Sequence, residues 1–285
     1  MKVIRDIGKM KIYSRIKKKD GKTVGFVPTM GCLHEGHISL IKNARKQNDV
    51  VVLSIFVNPA QFGKNEDFSK YPGDLEKDEE IAKTEGVDII FYPSEKEIYP
   101  KEYSTFVNVE ALTGNLCGKS RPGHFKGVTT IVCKLFHVIN PDMVYFGQKD
   151  FQQAVVIKKM IVDLNMDIIL KVLPIVREAD GLAMSSRNSY LSKKERNDAA
   201  VLHKSLRRAR DLFSEGEKDA NSIRSSMKDI INSKESVSID YLKIVDPIWL
   251  RDIKTIQNKA LVCIAANIGK IRLIDNTVLG DHENQ

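Results

Sequence analysis

The residues best placed to do chemistry are two histidines three positions apart, His34 and His37, within the stretch PTMGCLHEGHISL at 28–40. An apolar run before them, Thr23 to Val27, reads as a buried parallel strand, and after them Ile38, Leu40, Ile41 and Ala44 recur at helical spacing. The order is therefore strand, glycine-bearing turn, helix. Gly31 and Gly36 have no Cβ, so the backbone there can approach a ligand closely. A helix starting near Gly36 aims its free N–H groups and the positive end of its dipole into the turn. Such a turn binds anions, phosphate above all, and both histidines can donate hydrogen bonds to phosphate oxygens. A metal pair is the competing chemistry. Histidines at i, i+3 with no third His or nearby Cys make a poor zinc site, so no protein-held metal is expected.

The chain that must position this turn has 285 residues, 42% hydrophobic and 29% charged, enough for one large or two ordinary globular domains. Its longest apolar run, 50–57, is interrupted by Ser54 and is far too short to span a bilayer. The start, MKVIRDIGKMK, lacks the apolar segment of a signal peptide. Cys32, Cys117, Cys133 and Cys263 follow no metal-like spacing and suit a reduced, cytoplasmic setting. The net charge of +8 is spread and interleaved with acids, the one dense cluster being Lys17, Lys18 and Lys19. Anionic small substrates account for that bias, and neither a nucleic-acid nor a membrane partner is expected.

In chain order, 4–19 reads as a helix and 50–57 as a central parallel strand that stops at Asn58 and Pro59. Ligand sites in open α/β sheets lie at the carboxyl ends of strands, so Asn58, Gln61 and Phe62 are expected beside the motif turn. A polar loop over 65–73, a helix over 74–85 and strands over 88–92 and 104–109 follow. The segment GNLCGKSRPGHFKG at 114–127 reads as a long polar loop leading into a helix, with His137 at the edge of its core face. A strand over 143–146 ends in Gly147, Gln148, Lys149 and Asp150, then a helix runs to about residue 164. Position alone leaves that turn open between a cationic site and an ordinary helix start capped by Asp150. A strand over 168–172 completes an alternation that predicts a Rossmann-like parallel sheet. Beyond Pro174, residues 177–188 read as a polar hinge. Ser192 and Glu195 form a capping box that opens a long helix bearing Leu202, Leu206 and Phe213. A helix over 221–232 and strands over 238–245, 260–266 and 271–273 follow. The expected fold is α/β, a Rossmann-like parallel-sheet domain over 1–176 and a smaller α+β lid domain over 177–285.

H-x-G-H after a T-x-G turn resembles the HIGH motif of the nucleotidyltransferase superfamily. Five segments, TMGCLHEGH, FVNPAQF, SRPGHFKGV, FGQKDFQQ and MSSRN, stand in one order along the chain. Together they resemble the pantothenate synthetase family over nearly the whole length. The resemblance implies ATP-dependent condensation of pantoate with β-alanine through a pantoyl-adenylate intermediate, giving pantothenate, AMP and pyrophosphate. It implies that His37, His34 and Lys149 stabilise charge on the transferring phosphate. ATP would lie along Met30, Gly31, Cys32, Leu33, His34, Glu35, Gly36 and His37. Gly147, Gln148, Lys149, Asp150 and Val176 would contact it too, and Met184, Ser185, Ser186 and Arg187 would clamp its triphosphate. Gln61 and Gln153 would hold pantoate, with Asn58 close by, and Arg121 and His124 would lie in the second-substrate region. Mg²⁺ would arrive with ATP. Asp78 matches an acidic position of the family, with a metal contact there left open, and Gly73 stands where the family commonly has Arg. A homodimer is also implied.

Overall fold

The computed structural model describes residues 1–63, 66, 68 and 71–280. The chain divides into two compact units. The first comprises Met1–Thr113, Arg121–Gln148 and Gln153–Pro174, and the second Gly114–Ser120, Lys149–Gln152 and Ile175–Gln285.

Apolar β-branched runs alternating with amphipathic segments make the first unit. Its early elements are β1 (Lys2–Ile4), α1 (Ile7–Lys19), β2 (Val24–Thr29), α2 (Glu35–Gln47), β3 (Val50–Ile55), α3 (Leu75–Thr84), β4 (Ile89–Phe91) and α4 (Glu95–Ile98). After α5 (Cys117–Ser120), which belongs to the second unit, come α6 (His124–Ile139), β5 (Met143–Gly147), α7 (Phe151–Asp163) and β6 (Ile169–Leu173). The six strands form one sheet in the order β1-β4-β3-β2-β5-β6, every pairing parallel. β3, VVVLSI, is buried at every residue, as a central parallel strand requires. Val27, Leu53, Ile90 and Tyr145 pack in one cluster with Leu40, Ile41 and Ala44 of α2. Each such aliphatic side chain removed from water contributes about 1.5–3 kcal/mol. Strand order reverses between β2 and β5, and the crevice outside the carboxyl ends at such a point is where open α/β sheets take ligands.

Three expectations for this unit need correction. The first helix begins at Ile7, capped by Asp6, because residues 2–4 pair with β4 instead. Residues 104–109 form no strand: the Val107 N–H donates to Thr130 Oγ1 (3.0 Å) and its carbonyl accepts from Thr129 Oγ1 (2.7 Å), so threonines of α6 replace a ladder. The segment 114–127 is not one loop but contains α5 and the first turn of α6. Within the expected loop at 65–73, residues 65, 67, 69 and 70 lie outside the described residues.

The second unit contains α8 (Lys193–Ala199), α9 (Val201–Ser214), α10 (Ala220–Asn232), β7 (Val237–Val245), β8 (Ala260–Ile268) and β9 (Ile271–Leu279). Its sheet is antiparallel in the order β7-β8-β9. Leu202 and Leu206 of α9 pack with Ile223, Met227 and Ile231 of α10 and with Val262 and Ile264 of β8. The Ser192–Glu195 capping box is present, but the expected long helix divides at Ala200 into α8 and α9. β9 runs six residues past the expected end because Asp275, Asn276 and Thr277, polar in sequence, are buried with partners. Asp275 receives both Arg177 guanidinium N–H groups at 2.7 and 3.0 Å.

Residues 177–188, expected as a hinge, make several ion pairs and hydrogen bonds within this unit. Arg177 pairs with the buried Asp275, while Glu178 and Asp180 both hold Arg196. Asn188 Nδ2 donates to Glu178 Oε1 (2.7 Å) and to the Ala183 carbonyl (3.1 Å). The acids and bases of this polar segment thus neutralise charges within the unit. No helix among the described residues is long and apolar enough to cross a membrane.

Candidate active site

β2 delivers the motif turn. Thr29 Oγ1 donates to the Ser54 carbonyl (2.7 Å) and accepts from the Gly31 N–H (3.2 Å). Gly31 and Cys32 follow with φ of 85° and 53°, successive left-handed residues that fold the chain back before α2. A Cβ on Gly31 would sit 2.9 Å from Asp78 Oδ2, so only glycine fits. Asp78, 2% exposed on α3, accepts from the Cys32 N–H (2.8 Å) and the Leu33 N–H (2.7 Å). Burial pushes its carboxyl above the ordinary range, against the pull of those two hydrogen bonds. Both Asp78 oxygens thus accept a backbone N–H of the motif turn. Among the described residues no three His, Cys, Asp or Glu side chains are grouped to hold a metal.

His34 is the N-cap of α2. Its Nδ1 accepts from the Gly36 N–H (3.1 Å), and His37 Nδ1 faces the His34 N–H (3.4 Å). The rings lie 4.1 Å apart at a tilt of 34°. A ring that accepts at Nδ1 carries its proton at Nε2, which fixes the tautomer of both imidazoles at the positive end of α2. Sequence spacing does not reveal that the histidines also build the cap.

Gln61 closes the 3₁₀ turn Pro59–Gln61, just beyond β3. Its Nε2 lies 3.1 Å from Met30 Sδ, and its Oε1 accepts from Asn58 Nδ2 (3.0 Å). Its carbonyl meets His124 Nδ1 (2.9 Å), whose Nε2 is 3.1 Å from Arg121 Nη1. Arg121 is also ion-paired to Glu66, with Nε 2.7 Å from Oε1. Burial would raise the Glu66 carboxyl, but hydrogen bonds and charge from Arg121 outweigh it and hold the group below its ordinary range. Met30, Asn58, Gln61, Arg121 and His124 thus come together in the first unit, and Glu66 is a member that sequence reasoning missed. Its signal, one acid in a polar loop, is weak. Gln153 is half-buried on the first turn of α7. Elsewhere in this unit a cavity of about 810 Å³ adjoins Met30 and Gly31, but Asp6, Asp74, Glu95 and Glu97 line it and would repel phosphate.

Gly147 closes β5, and Gln148 opens the 3₁₀ turn Gln148–Asp150. In the second unit, Lys149 Nζ lies 3.7 Å from Asp150 Oδ2, and its carbonyl accepts from Asn276 Nδ2 (2.9 Å). Val176 and Met184 face each other across a tight hairpin, Met184 N–H to Val176 carbonyl at 3.0 Å, turned by Gly181 at φ 92°. Ser185 then caps the turn Ser186–Tyr190 by accepting from the Arg187 N–H (3.3 Å), so Ser185, Ser186 and Arg187 follow the hairpin directly.

A family model described as pantoate-beta-alanine ligase matches residues 2–278. The chain is similar to pantothenate synthetases of Heliobacterium modesticaldum and Acetivibrio thermocellus. Each is 53% identical over 279 residues, covering 98% of this chain and 99% of the relative. A solved pantothenate synthetase from Thermus thermophilus superposes with a TM-score of 0.92 at 39% identity, covering 97% of this chain and 99% of that one. The pantoate-beta-alanine ligase of Francisella tularensis, solved as a complex with beta-gamma ATP and beta-alanine, gives a TM-score of 0.79 at 35% identity, covering 97% of both chains.

Proposed function

The chain belongs to the pantoate-beta-alanine ligase family, and from that premise we propose that it joins its two substrates by way of pantoyl adenylate. A carboxylate is a poor acyl donor, so it is first converted to a mixed anhydride. One pantoate carboxylate oxygen attacks the α-phosphorus of ATP, and the bond to the β,γ-phosphates breaks, releasing pyrophosphate. The beta-alanine amine then attacks the acyl carbon, loses a proton and expels AMP. The carrying observation is the start of α2, where two histidine rings stacked 4.1 Å apart sit at the positive end of the helix, in a turn held by Asp78. Fixed donors of this kind stabilise charge on a transferring phosphoryl group.

In this reading ATP runs along Met30 to His37 and contacts Gly147, Gln148, Asp150 and Val176. Lys149 adds positive charge, and Met184, Ser185, Ser186 and Arg187 clamp the triphosphate. Gln61 and Gln153 hold pantoate, whose hydroxyls and carboxylate suit neutral amides. The Asn58 amide is turned inward, and Arg121 and His124 border the second-substrate region. Mg²⁺ would arrive on the phosphates of ATP and neutralise part of their charge. The edge strand β6 leaves Ile169 and Val172 exposed, which supports a homodimer, and a monomer mass in sedimentation equilibrium would contradict that assembly. Four free thiols support a reducing, cytoplasmic setting.

The test is pyrophosphate release with ATP, Mg²⁺ and pantoate but no beta-alanine. One equivalent per site should form quickly and then stop, and beta-alanine should release AMP and pantothenate together. ADP as product, or no pyrophosphate until beta-alanine is added, would overturn the adenylate route.

A further inference from the structure

The Asn58 side chain is buried, 1% exposed, and all of its amide is in use. The Ala60 N–H donates to Oδ1 (3.3 Å), and Nδ2 donates to the Gly127 carbonyl (3.2 Å). A backbone N–H can only donate and a backbone carbonyl only accept, so these two contacts fix which end of the amide is which. Oδ1 then lies 2.7 Å from the Tyr99 hydroxyl, which must be the donor. Nδ2 lies 3.0 Å from Gln61 Oε1, which must be the acceptor. The Gln61 amide is thereby oriented in turn. Its oxygen is spent inward, and its Nε2 is left against Met30 Sδ at 3.1 Å, a thioether and a weak acceptor.

We infer that Tyr99 is a positioning residue: acting through Asn58, its hydroxyl holds Gln61 so that Nε2, a donor, faces the ligand. The inference rests on Gln61 holding the acid substrate. It deepens that reading by naming the complementary atom, an oxygen acceptor such as a carboxylate or hydroxyl oxygen. Tyr99 supplies the shortest of the four bonds that fix Asn58. Its ring is held in place by Phe56 (6.4 Å between centroids) and Tyr103 (5.1 Å). Burial raises the phenol's pKa, which keeps its donor proton in place. An oxygen acceptor offered to Nε2 improves on sulfur, whereas a flipped Gln61 would set oxygen against oxygen.

The experiment is a double-mutant cycle read as separate KM values for pantoate and ATP in the full-length enzyme. Tyr99→Phe should raise the pantoate KM roughly tenfold, the effect of one buried hydrogen bond, and leave the ATP KM unchanged. It should have no further effect in a Gln61→Ala background. Asn58→Asp, which replaces the Nδ2 donor with a second acceptor and forces Gln61 to turn, should raise the pantoate KM further than Tyr99→Phe. An unchanged pantoate KM in Tyr99→Phe, or effects of Tyr99→Phe and Gln61→Ala that add, would overturn the relay while Gln61→Ala alone still impairs pantoate use. A Gln61→Ala enzyme with an unchanged pantoate KM would overturn the assignment of Gln61 to pantoate, and the relay with it.

Discussion

Asp78 determines how far the motif turn is formed before any ligand arrives. Its two oxygens take the N–H groups of Cys32 and Leu33, just ahead of the histidine cap. Removing it orphans two donors, each worth roughly 1–3 kcal/mol when left unsatisfied in a buried place. Asp78→Ala is therefore expected to lower unfolding stability and slow adenylation together. His37→Ala should slow adenylation by about 10²–10³ while costing only about 1 kcal/mol through loss of cap contacts. Denaturant melts alongside pyrophosphate release separate the two patterns. Equal stability losses in both variants would contradict the division of roles. The strand, turn and helix start around His34 and His37 were legible because their spacing and the flanking apolar runs are local patterns. Asp78 as the holder of the turn was not, since its partners lie 46 and 45 positions away and nothing in its neighbourhood distinguishes it from Asp74.

At the scale of elements, α6 sets the position of the Gln61 turn. A Cβ on Gly127 would lie 2.2 Å from the Ala60 carbonyl oxygen and 2.6 Å from the Gln61 nitrogen, so the helix packs on that turn only because residue 127 is glycine. Gly127→Ala should displace Gln61 and raise the pantoate KM, with a smaller change for ATP; an unaltered pantoate KM would contradict this packing. The sequence showed Gly127 only as one of several loop glycines. Periodicity located β2, β3, β5 and α2 because each is a continuous local pattern. It failed where side chains from elsewhere substitute for regular pairing, as at Val107 with Thr129 and Thr130. It also failed where short strands pair at a distance, as at Lys2 with Ile89. The end of β9 was hidden because buried Asp275 and Asn276 read as surface residues.

The whole molecule's response to pH carries a mark of His203. Burial lowers its pKa, Arg177, Arg210 and Arg207 lower it further, and Asp275 opposes them. A histidine with a lowered folded-state pKa binds a proton more readily when unfolded, so its effect on stability falls as pH drops through about 6.5 and levels off below the folded value. The stability of wild type relative to His203→Gln should therefore decline between about pH 7.5 and pH 5.5, read from denaturant midpoints; a constant difference would contradict the burial and charge described. Sheet order was not legible from sequence, since which strands become neighbours depends on long-range pairing. The reversal between β2 and β5 emerges only from the assembled sheet. In the proposed route the pantoate carboxylate attacks the α-phosphorus, and an oxygen label follows that event. Pantoate carrying oxygen-18 in its carboxylate is converted with ATP, Mg²⁺ and beta-alanine, and the products are weighed. One labelled oxygen is expected in AMP and none in pyrophosphate. Labelled inorganic phosphate formed alongside ADP would contradict it.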